Sequence, residues 1–260
     1  MEYPKEWKRL LRYKAFQRAC VLGSVLCCML LIVYGFELSV LISLMMTTYV
    51  NWTRKVIFLF SVYASVVLTV LTQLRGYLYL YKIRQTGKYQ PLLKGLQLLF
   101  YASIGQIIWS VLMICDVIWT YHTSSLLAGY EPQISSPVIY MIAGLYLLMC
   151  LILGGTAKIF ALYAIQKSLL SGKVISSVPL HLVVTASLLQ MVAVLLCTVF
   201  LSVWEGILVG CVLMAAFCMP VFLFFYYSAK TYQYVWKLLR KMPVNAVSSE
   251  KEPLSAEESS

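Results

Sequence analysis

The stretch LHLVVTASLLQMVAVLLCTVFLSV, residues 180–203, decides the fold class. Apart from His181 it holds no ionisable side chain other than one cysteine, and it is long enough as a helix to cross the roughly 30 Å hydrocarbon layer of a bilayer. Its apolar residues run continuously and do not alternate, which favours a spanning helix over a barrel strand. Five further runs read the same way: about 16–35, 56–74, 96–119, 137–157 and 206–227. The chain as a whole is 61% hydrophobic and 12% charged, with mean hydropathy +0.82. Soluble domains are about 45–50% apolar and about 25% charged, so part of this excess must face lipid. The expectation is an all-α, polytopic transmembrane helical bundle of six spans in three hairpins.

Orientation follows from the basic residues. The net charge of +11 sits in short clusters beside the apolar runs, which argues for topology and against nucleic acid as a partner. With six spans and an inside N-terminus, 19 of the 21 Lys and Arg are cytoplasmic, and only Arg54 and Lys55 lie outside. A seventh span at Leu38–Val50 would place 13 of them outside. Positive residues favour the cytoplasmic face, so both termini are expected there, with Leu38–Val50 as a short apolar helix on the outer surface. The expected location is the plasma (inner) membrane.

Three regions follow. Residues 1–15 read as a basic interfacial helix, with Trp7, Leu10 and Leu11 on its apolar side and Lys5, Lys8, Arg9, Arg12 and Lys14 directed to anionic lipids at the cytoplasmic face. Positive-inside charge alone also explains this segment. Residues 16–242 form the membrane domain. Residues 243–260, rich in Ser and Glu, have little to bury and read as a disordered tail.

Charged groups inside a bilayer are costly and mark function by default. Asp116 lies near the outer end of the third span, where it lines an outward cavity for a cationic substrate, pairs with Arg54 or Lys55, or reaches solvent. Gln106 and Gln190 are the mid-span polar groups, suited either to a ligand or to hydrogen bonds across helices; Gln73 sits near the inner end of span two. Lys158 is placed at the inner end of span four, where its ammonium can snorkel to the interface. Pro220 falls within span six and is expected to kink it, as a gate hinge or a packing feature. Gly206 and Gly210 form a GxxxG, while Ala19, Gly23 and Cys27, and Ala157 with Ala161, make further small-residue stripes for helix packing.

Signatures of catalysis are missing. The eight cysteines all lie in apolar runs, which argues against a disulfide framework or a zinc site. His122 and His181 fall on opposite sides in this topology, so no metal is expected. There is no phosphate-binding loop and no oriented nucleophile, and the Gly154–Gly155 pair lacks the strand–loop–helix context of a phosphate site. No cofactor is expected and the reading leans away from an enzyme. Two functions stay open: a small permease or membrane subunit of a transport assembly, and a non-enzymatic sensor, assembly factor or scaffold acting through basic inner loops. The expected partners are the bilayer, its anionic lipids, and a protein partner or a second copy of the chain.

Overall fold

The computed structural model describes residues 10, 12–47, 54–86, 89–128, 136–171, 178–205 and 218–240. Six helices account for nearly all of them: α1 Lys14–Thr47, α2 Arg54–Thr86, α3 Tyr89–Ala128, α4 Ser136–Ser171, α5 Val178–Glu205 and α6 Met219–Arg240. Among the described residues there is no strand. The helices begin where proline allows. Pro91, Pro137 and Pro179 each fall within the first three residues of α3, α4 and α5, where a missing N–H costs nothing and the fixed φ suits a helix. Within the helices, Ser and Thr hydroxyls turn back to the carbonyl four residues earlier, as Ser61 does to Ile57, Thr72 to Leu68, Ser103 to Leu99 and Thr231 to Tyr227. Their polarity is thereby absorbed by the helix and not offered to lipid.

Five helices are long and apolar enough to cross a membrane, over Lys14–Ser43, Ile57–Lys82, Leu92–Trp119, Gly144–Ser168 and Val178–Leu196. The packing is inverted relative to a soluble bundle. Ile32, Phe36, Leu68, Ile108 and Leu153 point outward and are more than half exposed, whereas Thr69, Ser103, Gln106, Ser110, Ser187 and Gln190 are buried. Without water on the outside, apolar surface gains nothing from burial, and close packing with internal hydrogen bonds holds the helices together. The chain is thus a helical integral membrane protein.

Helices consecutive in sequence pack side by side, and α6 returns to pack on α1, so the six form a closed ring. Small residues set the spacing. Gly76 of α2 meets Gly95 of α3, each also facing a leucine of the other helix, Leu99 and Leu80. The sequence stripes Ala19–Gly23–Cys27 and Ala157–Ala161 are buried, and Gly23 admits the rings of Tyr77 and Phe224. One apolar cluster gathers Leu10, Leu80, Leu92, Ile165, Leu180, Val235 and Leu238. Leu10, the last turns of α2 and α4, the first turns of α3 and α5, and the end of α6 therefore share one end of the bundle. Exposed Arg12, Lys14, Arg18, Lys82, Lys94, Lys167 and Lys237 make this its basic end.

Several expectations change. Residues 38–47 are not a separate surface helix: they continue α1 without a break, since no proline interrupts them and the lone Gly35 does not stop a helix. At about 1.5 Å per residue α1 is about 51 Å long and α3 about 60 Å, so helices outrun the hydrocarbon layer at one or both faces. Leu10, expected on a lipid-facing side, is buried in the bundle at 3% exposure. Pro220 follows a π-helical residue, Cys218, and stands second in α6, and the residues before Cys218 lie outside the described ones. Gly206 and Gly210, most of the sixth expected span and the 243–260 tail lie outside the described residues.

Candidate functional site

The ring encloses a cavity of about 100 Å³ toward its basic end. All six helices reach it, through Cys20 of α1, Gln73 and Tyr77 of α2, Ser103 of α3, Lys158 of α4, Ser187 of α5, and Phe225, Ser228 and Tyr232 of α6. Leucines from several helices complete the wall, and Leu10 and Phe16 line it from the N-terminal side. Just after Leu10, the Tyr13 ring stacks on Tyr234 of α6 at 4.1 Å with 10° between planes.

Lys158 is the unexpected occupant. The apolar stretch of α4 does not stop at residue 157 but runs on to Ser168, which puts Lys158 near the middle of the Gly144–Ser168 segment. Its side chain is half-buried and lines the cavity. The ammonium lies 5.9 Å from the centre of the Phe225 ring. A cation–π contact of this kind is worth about 0.5–2 kcal/mol. Placing a lysine at mid-bilayer costs about 2.5–3.5 kcal/mol even on insertion scales. The aromatic face offsets part of that cost and leaves the rest to whatever shares the cavity.

The aromatic run of α6 organises three cations. Phe225 faces Lys158 from α4, Tyr226 carries Lys230 of its own helix at 4.4 Å, and Tyr227 receives Arg18 of α1 at 5.3 Å together with a 2.8 Å hydrogen bond from its guanidinium. Across the cavity, the Gln73 amide donates to the Tyr77 hydroxyl at 3.4 Å, and the Tyr77 ring meets Phe224 edge-on at 5.9 Å.

The sequence candidates lie elsewhere. Gln106 donates to the Leu151 carbonyl at 3.0 Å and Gln190 to the Cys150 carbonyl at 3.2 Å. They stand on α3 and α5, on either side of α4, and grip adjacent carbonyls of it. Neither lines the cavity. Gly154 and Gly155 explain the geometry: a Cβ at Gly154 would fall on the Gln190 amide, and one at Gly155 would press on Ile107. The Gly–Gly pair is a seat for the flanking helices.

Asp116 is half-exposed on α3 toward the opposite end and is not brought together with either glutamine. It acts on Tyr63, whose hydroxyl hydrogen-bonds Glu37 and whose ring lies 6.3 Å from that of Tyr34. The side chains of Arg54 and Lys55 lie outside the described residues. Among the described residues no cluster of His, Cys, Asp and Glu could hold a metal ion.

A second concavity of about 660 Å³ lies outside the ring between α2 and α3. Arg75, Lys82 and Lys94 line it with Tyr79 and Tyr101.

Lys158 was legible only indirectly. It is the lone Lys or Arg between Lys94 and Lys167, and Ala157, Ala161, Leu162 and Ile165 continue the apolar character beyond it. Ending the span at the charge hid the fact that the charge was inside. The fold and cavity define a helical integral membrane protein with an enclosed, singly charged chamber. No family of proteins, curated protein or solved structure matches the chain.

Proposed function

We propose that the protein is a small permease, or the membrane subunit of a transport assembly, with the cavity beside Lys158 as its substrate site. The observation that carries this reading is the cavity itself. A scaffold or sensor acting through its loops has no use for an internal site, whereas here six helices converge on a space lined by a cation, tyrosines and small hydroxyls. Charge inside a membrane domain is tolerated where it serves a ligand or ion path. The substrate site moves with this reading from Asp116 on the outer side to the basic half of the ring.

In the same reading the basic end faces the cytoplasm with both termini, the six helices span a plasma (inner) membrane, and residues 243–260 form a free tail. The clustering of exposed Lys and Arg at one end supports this orientation. Anionic lipids gather at that face.

Cys20 on the cavity wall provides the test. In a variant keeping Cys20 as the sole cysteine, a membrane-impermeant thiosulfonate is applied to vesicles from either side. A permease exposes Cys20 to both sides in turn, so labelling proceeds from each. Labelling from neither side, with the protein intact in the membrane, would favour the scaffold reading.

A further inference from the structure

We infer that the cavity binds an organic monoanion with a short apolar body, with Lys158 as its counter-charge. This rests on the permease reading and names the substrate class of the same site.

The charge inventory of the wall comes first. Among the residues lining the cavity, Lys158 is the one group charged at neutral pH, and none is Asp or Glu. Cys20, Tyr77 and Tyr232 add neutral groups. A cationic substrate would meet like charge in a medium that screens it poorly. A neutral one would leave the ammonium with only the Phe225 ring. An anion completes the pair, and the interior of the ring makes that pairing strong.

Donor geometry points the same way. Ser103 and Thr231 spend their hydroxyl protons on the Leu99 and Tyr227 carbonyls of their own helices. The Tyr77 oxygen accepts from Gln73, which leaves its O–H to donate. Lys158 and Tyr77 thus supply donors on the cavity wall, while Leu80, Leu92, Leu96, Leu99, Phe224 and Phe225 give it an apolar body. One charged anchor with a few polar groups in a largely apolar pocket selects an amphiphile over an inorganic ion.

Size narrows the class. An apolar cavity of about 150 Å³ takes one benzene, so the cavity of about 100 Å³ holds a ligand of roughly four to six non-hydrogen atoms. A short-chain carboxylate such as propionate or butyrate is of that size.

The test is equilibrium dialysis of radiolabelled butyrate against the full chain in nanodiscs, with empty nanodiscs as the background. The expected result is one butyrate bound per chain, competed by unlabelled butyrate but at least tenfold less well by butanol or butylammonium. Lys158→Gln should weaken binding at least tenfold, and Lys158→Arg should retain it. Equal competition by butanol or butylammonium, or no saturable binding, overturns the proposal using wild-type protein alone, so a poorly folding variant does not decide the matter. Binding needs no translocation. An anion that binds but never crosses refutes the permease reading and leaves this one standing, whereas saturable flux of a cation does the reverse.

Discussion

The side-chain amide of Gln190 on α5 reaches the Cys150 carbonyl on α4 at 3.2 Å through the space left empty by Gly154. A backbone carbonyl already used in the α4 helix thereby accepts a second bond, and the glycine makes the approach possible. Gln106 repeats the grip one residue on, from the opposite neighbour.

Gly154→Ala should lower stability in detergent by about 1–3 kcal/mol, the cost of overpacking a tight contact. Gln190→Ala should cost about 0.6 kcal/mol, the average of a hydrogen bond between membrane helices. The double variant should lose less than the two single losses combined, because the alanine side chain no longer occupies the space. Thermal unfolding in one detergent measures all three, and strict additivity would show that the two residues do not share this contact.

Glycines divide into those that seat a neighbour and those that do not. Nothing lies within 4 Å of a Cβ built at Gly35 or Gly144. Alanine there should raise stability by up to about 1 kcal/mol through helix propensity. At Gly76 a side chain meets Leu99 and approaches the Gly95 carbonyl at 3.3 Å. Gly76→Ile should therefore destabilise by about 1–3 kcal/mol and loosen the α2–α3 pair. Melting temperatures moving the same way at all three positions would contradict the packing.

The Tyr13–Tyr234 stack, which ties the segment before α1 to α6, is worth about 0.5–1.5 kcal/mol. Tyr13→Ala should accordingly shift the release of that segment, whose Leu10 lines the cavity, roughly two- to tenfold. The readout is the rate at which a small thiosulfonate modifies Cys20 as the sole cysteine. An unchanged rate would mean that access lies by another path.

The outer groove formed by Arg75, Lys82 and Lys94 should retain anionic phospholipid. Each cation near a charged membrane surface contributes about 1 kcal/mol, so removing all three should weaken retention by roughly two orders of magnitude. Native mass spectrometry after dilution from phosphatidylglycerol and phosphatidylcholine mixtures reads this directly. Equal loss of both lipids on substitution would assign the groove to packing alone.

Helical class, membrane residence and the small-residue stripes were all readable in sequence, because they depend on local composition and spacing. The prolines that open α3, α4 and α5 were also present as a pattern. Gln106 and Gln190 stood out as mid-span polar groups suited to a ligand or to hydrogen bonds across helices, and both donate to α4. Their partners were not readable, because each is a backbone carbonyl 45 or 40 residues away. Lys158 was placed at the end of span four because hydropathy ends a span at a charge, while only the closed ring reveals which way that charge faces. Residues 38–47 show the converse error: charge balance excluded a seventh span there, but it does not say that the helix of the first span stops before them.

The contact between Arg18 and Tyr227 joins residues 209 positions apart in the chain. During synthesis the first helix must therefore wait in the bilayer, with this side unpartnered, until the last has been made. A polypeptide cut short before α6 lacks the ring that faces Lys158 and leaves that ammonium without its aromatic neighbour. Such a product carries its own mark of incompleteness, a bare cation at mid-membrane depth, for quality-control proteases that recognise polar groups within the bilayer.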